Sequence, residues 1–323
     1  MKLKVSVIFT ALILMMAITA NSIEASLINK AKITVKVIDE FGNAVEKANV
    51  RIGFEINTRN GPKYNNFEGS TKSDGIFYGS ASCNSHVGFT ISKPGYYESD
   101  GTYDFINKSA FRWEPWNPEI KVVLRNIENP IPMYARDTRK SSIEIPVLGK
   151  DVGFDLIEFD WVKPYGLGSH ADLIYNLKVL DNGGDDFEYQ LDVKFANKYD
   201  GIQASEETNT NMSMLLLPKN APVDGYKKKL GVFLKGVKRG AKYSWEKNRN
   251  YIFRVRSEVE NGKLKKAMYG KILADIALAQ PSKNGGFPII QFKYYLNPDY
   301  TRNLEFDPNR NLFLNLPVRE QVR

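Results

Sequence analysis

Apolar and polar positions alternate with a period of two along most of the chain, which is the pattern of half-buried strands. In "ITVKVID", Ile33, Val35 and Val37 share one face, and Thr34, Lys36 and Ile38 the other. "NVRIGFEI" places Val50, Ile52, Phe54 and Ile56 together. The turn between them, "EFGNAV", holds Gly42, which tolerates positive φ. Ala48 falls on the face of Val50, where a small side chain lets a neighbouring sheet come close. Further on, "TKSDGIFYGSASC" gives an Asp-Gly turn and a strand. "HVGFTISKPGYYESDGTY" gives a strand ending at Pro94-Gly95, a type II turn pair, and "EIKVVLRNI" brings Ile120, Val122 and Leu124 into register. The intervening "NTRNGPKYNNFEGS" is rich in Asn and Gly and reads as a long polar loop, a place where function tends to sit. Short strands at regular spacing with turns between them predict a β-sandwich over residues 31–126.

Residues 127–150 carry Pro130, Pro132 and Pro146, which keep a chain extended and deny it donors. They read as a connector or as a peripheral part of the second domain. From 151 to 323 strands return. Ala171, Leu173, Tyr175, Leu177 and Val179 line one face of "ADLIYNLKVL", and Phe187, Tyr189, Leu191, Val193 and Phe195 one face of "FEYQLDVKFA". "SMLLLP", "GVFL" and "IIQFKYYL" read as further strands, and "LADIALAQ" as a helical turn or a strand continuation. The clearest element is "YIFRVRSEVENGKLKKAMYGKI". Its Asn261-Gly262 is the preferred type I′ hairpin loop. That loop pairs Glu260 with Lys263, Glu258 with Lys265 and Arg254 with Tyr269, and on the other face Val259 with Leu264 and Val255 with Met268. The prediction is an all-β fold of two β-sandwich domains, the first a small Ig-like or transthyretin-like sandwich.

The N-terminus adds a compartment. Lys2 and Lys4 precede an uncharged run from Val5 to Ala20, followed by small residues, as in a secretory signal peptide. Cuts after Ser22 and after Ala25 both suit it, giving a signal over 1–25; the rival is an N-terminal anchor, for which the run is short. No cysteine lies near the cut sites, which excludes a lipid-anchored N-terminus. About 300 residues remain, enough for two domains. The single cysteine, Cys83, forbids an intramolecular disulfide, so the fold rests on its cores.

The opening "V-x-D-x-x-G-x-x-V-x-x-A-x-V" (Val37, Asp39, Gly42, Val45, Ala48, Val50), the "T-x-x-D-G" of Thr71, Asp74 and Gly75, and the "K-P-G-Y" of Lys93 to Tyr96 together resemble carboxypeptidase regulatory-like domains. These are transthyretin-like or bacterial Ig-like sandwiches related to a carbohydrate-binding-like fold. The resemblance covers residues 31–126. It implies an accessory or adhesive module without catalytic residues, and no particular ligand. Residues 151–323 resemble no family in this way.

Chemistry is sparse. Of two histidines, His170 lies in "GLGSHADL" beside Ser169 and Asp172, but sequence neighbours rarely form a triad and no G-x-S-x-G elbow is present. One Cys and two distant His give no zinc spacing. Asp181, Asp185, Asp186 and Glu188 are hard oxygen donors whose spacing suits a turn better than an EF-hand. No metal or other cofactor is expected. Aromatics offer more: Phe111, Trp113 and Trp116 in "FRWEPWNP", with Tyr96 and Tyr97, are candidates for stacking on sugar rings, or else rings that cap the sandwich. The net charge is +8, and Lys219 to Arg256 holds twelve Lys or Arg against two acids. Lys227, Lys228, Lys229, Lys235, Lys238, Arg239 and Lys242 could therefore meet a cell-envelope polyanion, or form a solvated face. An exported protein without a nucleic-acid motif argues against nucleic acid. These features support three readings. The first is an exported, non-enzymatic binding or scaffold protein of the periplasm or cell surface, holding glycan or a protein partner. The second is a glycan-directed hydrolase with an accessory Ig-like module. The third is assembly by strand addition at exposed sheet edges.

Overall fold

The computed structural model describes residues 29–141, 143–183, 186–205, 213–215, 217–237, 240–244, 246, 249–279 and 288–322. The signal peptide expected over 1–25 lies outside them. The fold is all-β. The chain divides into two compact units: the first runs to Ile127 and includes 211–214, and the second is the rest.

The strands of the first unit are β1 (Lys30–Asp39), β2 (Asn49–Thr58), β3 (Gly61–Ser70), β4 (Ile76–Ser82), β5 (His86–Ser92), β6 (Ser99–Asp104), β7 (Asn107–Ser109), β8 (Arg112–Glu114) and β9 (Glu119–Leu124). One sheet is built on β1, antiparallel to β4 and parallel to β9 and β8, with β7 beside β8. The other is antiparallel in the order β3-β2-β5-β6. Their inner faces form one core from Ile33, Val35 and Val37, Val50, Ile52 and Phe54, Val87, Phe89 and Ile91, and Val122 and Leu124. Those are the apolar positions of each alternating strand, so the period of two is what joins the sheets. Cys83 is buried, and burial pushes its thiol up to about 11. Gly42 and Gly95 take the positive φ their turns require.

One segment differs from expectation. The polar run after Asn57 is no loop: Arg59-Asn60 turn the chain between Thr58 and Gly61, and β3 pairs with β2 along its whole length. Its sequence hides the strand because an edge strand exposes nearly every residue. Pairing of Thr58 with Gly61 across the two-residue loop turns the main-chain groups of Lys63, Asn65, Phe67 and Gly69 toward β2. Those of Pro62, Tyr64, Asn66, Glu68 and Ser70 point off the free edge, where a strand proline leaves no ladder bond unmade.

The strands of the second unit are β10 (Ile131–Asp137), β11 (Ile143–Glu144), β12 (Val152–Asp155), β13 (Asp160–Trp161), β14 (Leu173–Gly183), β15 (Asp186–Lys194), β16 (Gly201–Ser205), β17 (Lys229–Val237), β18 (Gly240–Tyr243), β19 (Asn250–Glu260), β20 (Lys263–Ala279), β21 (Ile289–Asn297) and β22 (Phe306–Asn311). Two sheets, β13-β12-β14-β15-β17-β18 and β16-β19-β20-β21-β10-β22, enclose a core that includes Phe154, Tyr175, Leu177, Leu191, Phe253, Ile272, Phe292 and Tyr294. The second sheet also buries its other face, where Met133, Leu273, Tyr295 and Phe306 cluster with Leu217 and Val322, and Ile252 and Tyr269 with Ala221 and Leu304. This explains the near-continuous apolar runs in β19 and β21. The proline-bearing stretch 127–150 does not merely link domains: it supplies β10 and β11, both paired with β21, with a 3-10 turn at Thr138–Lys140 between them. Among the described residues of "SMLLLP" no strand forms: Ser213 makes a bridge to Ser99, and Leu215 and Leu217 are buried. "LADIALAQ" continues β20 through a register shift at Ala274 and Asp275, both at positive φ.

Among the described residues, the buried hydroxyl of Tyr175 has no hydrogen-bond partner. A polar group held dry and unpaired carries a desolvation penalty with no return. Tyr175→Phe is expected to raise the stability of the second unit by about 1 kcal/mol, read as a higher midpoint in chemical denaturation; an unchanged or lowered midpoint would contradict it.

Candidate functional site

The outer face of the β3-β2-β5-β6 sheet carries the polar positions of four alternating strands. In its middle, where bulky residues would normally stand, Gly53 of β2 pairs with Gly88 of β5. Asn66 flanks them on β3 and Thr102 on β6. The next row is Glu68, Arg51, Thr90 and Asp100, again across all four strands. The two glycines leave a floor of bare main chain, and above it lies a hollow of about 260 Å³ walled by Tyr64, Asn66, Arg51, Thr90 and Asp100. A Cβ built on Gly88 meets nothing within 4 Å, so the gap there is open space and not a packing need. On Gly53 it would come within 3.1 Å of Asn66 Oδ1.

The walls mix donors, acceptors and one aromatic ring. Tyr64 is half exposed, its ring fixed by donation from its hydroxyl to Glu55 at 2.9 Å. Arg51 lies 3.3 Å from Glu68, and His86 Nδ1 lies 2.7 Å from Asp104. A second hollow of about 390 Å³ adjoins the first and shares Arg51 and Thr90 with it; Asn49, Glu68, Ser70 and Ser92 line its far part. The sequence held a signal for this site: a glycine at an outward position of each of two strands that pair, at Gly53 and Gly88. What hid it was the reading of β3 as a loop.

The aromatic candidates divide. Trp113 donates its indole N–H to the Cys83 carbonyl at 2.9 Å and stacks on Phe105, so it serves the core. Tyr96 also packs against that core, with Lys93 over its ring. Tyr97 is half-buried and donates its N–H to the Arg125 carbonyl. Phe111 and Trp116 remain exposed, Trp116 with Arg112 over its ring. The basic candidates are interleaved with acids: Lys229 lies 3.0 Å from Asp192 and Lys235 2.6 Å from Glu188. Lys227 exchanges main-chain bonds with Ile202, and Lys228 and Lys242 are exposed. Lys238 and Arg239 lie outside the described residues.

The strongest ionic cluster is in the second unit, and sequence reasoning missed its centre. Arg256 sits where β19 bulges: two residues, Arg256 and Ser257, stand against Ala267, and Arg256 takes φ +51°. A second irregularity restores the register before the Asn261-Gly262 turn, so Glu258 pairs with Lys266 and not with Lys265. Bulges re-aim side chains, and this one turns the guanidinium onto two buried carboxylates. It donates to Asp172 at 2.8 Å through Nε and to Asp155 at 2.7 Å. Asp155 also accepts the N–H groups of Ile157, Glu158, Ser169 and His170, and Asp172 that of Leu156. Ser169 and His170 thus use their main chain to fold this loop, and Asp172 is engaged by Arg256; they do not form a triad. Burial pushes Asp155 up, but the surrounding amides and Arg256 outweigh it and hold the carboxyl below its ordinary range. At Asp172 burial outweighs Arg256 and the Leu156 amide and leaves the carboxyl raised. Of the calcium candidates, Glu188 is paired with Lys235 and Asp185 lies outside the described residues. Among the described residues, no group of three or more His, Cys, Asp or Glu could hold a metal ion, and no helix is long and apolar enough to cross a membrane.

No protein-family model and no curated protein matches the chain. Among solved structures, a mutant of the shaft pilin SpaA from Lactobacillus rhamnosus GG matches at 10% identity over 76% of this chain and 94% of its own, with a TM-score of 0.25. A streptococcal ancillary pilin matches at 9% identity over 86% of this chain and 61% of its own, with a TM-score of 0.22. Superpositions this loose carry nothing about ligand or activity.

Proposed function

We propose that the chain is an exported, non-enzymatic binding or scaffold protein of the periplasm or cell surface, and that its first sandwich holds carbohydrate. The observation that carries this reading is the open hollow over Gly53 and Gly88, bordered by an aromatic ring and by donors and acceptors in turn. A sugar presents the same alternation, because each hydroxyl both donates and accepts while its C–H face is apolar. The signal-like N-terminus supports export to a compartment where glycans are met. The resemblance to carboxypeptidase regulatory-like modules agrees with an accessory, ligand-holding role. The commitment of Asp155 and Asp172 to Arg256 and to main-chain amides removes this pair as a hydrolytic couple, since such a pair needs carboxylates that reach a substrate. The test is a glycan array probed with the mature chain from residue 26. Retention of at least one glycan class is expected; retention of none would overturn the carbohydrate reading.

A further inference from the structure

Resting on that reading, we infer that the two hollows of the first sandwich are adjacent subsites of one trough, which takes a linear, uncharged polysaccharide lying along β2. The hollows are divided only by the Arg51–Thr90 pair, which belongs to both. From Asn49 in one to Gly53 in the other is four residues of a single strand, about 13 Å at the strand rise of ~3.3 Å per residue. That length exceeds one sugar ring and suits a short run of them. Arg51, standing at the division with a side chain 60% exposed, reaches ligand groups on both sides.

Charge selects the kind of chain. The face carries the carboxylates of Glu55, Glu68, Asp100 and Asp104 against Arg51 and His86. A sulfated or carboxylated polymer would meet more like charge than opposite charge. A neutral one meets acceptors in the carboxylates and donors in Arg51, Asn66 and Thr90. The glycine floor lets a ring approach main chain, and Tyr64 borders it with an apolar edge. The trough therefore points away from the polyanion suggested by the overall positive charge, which belongs largely to the second unit.

Binding should be measured calorimetrically with linear oligomers of glucose, mannose and N-acetylglucosamine of one to six rings, and with heparin and hyaluronan fragments as the anionic arm. Affinity for one neutral series is expected to rise at least tenfold from one ring to three and then level off. Gly88→Leu fills open space, so it should keep the wild-type melting curve while weakening binding at least tenfold. Arg51→Ala, a surface truncation, should weaken it similarly, which keeps the test sound if the leucine disturbs folding. Trp116→Ala should leave binding unchanged. Neutral-glycan binding that survives both trough variants would place the site elsewhere and overturn this inference alone. Preference for the anionic fragments, or affinity independent of chain length, would also overturn it. Absence of binding to every sugar would remove the carbohydrate reading together with it.

Discussion

Arg256→Ala is expected to destabilise the second unit by about 3–5 kcal/mol, because it strands two buried carboxylates rather than removing one surface contact. Asp155 and Asp172 are both almost fully buried, and one guanidinium bonds to both. The two acids respond oppositely to pH. Asp155 has its folded value below its unfolded one, so its contribution is complete above the ordinary carboxylate range and is lost as pH falls through the depressed value. Asp172 has its folded value raised by burial, so its ionised form opposes folding at neutral pH, and that opposition fades as pH falls through the raised value. Asp155→Asn should therefore cost more than Asp172→Asn at pH 7, with the gap closing in acid. Urea titrations of the three variants at pH 7 and pH 4 read this directly. An Arg256→Ala variant within about 1 kcal/mol of wild type, or Asp172→Asn proving the costlier amide, would contradict the account.

Phe54→Ala is expected to cost the first unit about 3–5 kcal/mol, the usual range for emptying a fully buried phenylalanine site. Phe54 has no exposed surface, lies between the two sheets and meets Phe67 edge-on at 5.6 Å. With Cys83 unpaired and buried, no disulfide stands in reserve. Phe67→Ala is the control. That ring is more than a third exposed on the edge strand, so its loss should cost about 1 kcal/mol, the scale of an aromatic pair. Thermal melts of the two variants give the comparison, and equal losses would show that the core is not centred where the packing puts it.

Alternation made the strands legible: Ile33, Val35 and Val37, and Val50, Ile52 and Phe54, lie inside because their neighbours are polar. It could not reveal β3, where an edge strand with one face to solvent and its inner face only partly covered shows no apolar period. The candidate hollow was lost with it, since Tyr64 and Asn66 of its wall belong to β3. The hairpin at Asn261-Gly262 was legible near the turn, where the loop dictates register. It was not legible at Arg256, whose guanidinium meets carboxylates 84 and 101 residues earlier in the chain. Trp113 illustrates the converse. Composition marks a tryptophan among prolines as a platform, but only a three-dimensional partner, the Cys83 carbonyl, shows it to be a wall.

The free edge of β3 bears on solubility. Two copies laid antiparallel about Asn66 would bring Tyr64 of each beside Glu68 of the other and Pro62 opposite Ser70. Proline has no proton to give, so the growing ladder lacks a rung at each end, and the carboxylate of Glu68 would have to shed water against a neighbouring ring. At this edge a single proline next to a tight turn discourages the sheet from growing into a second molecule.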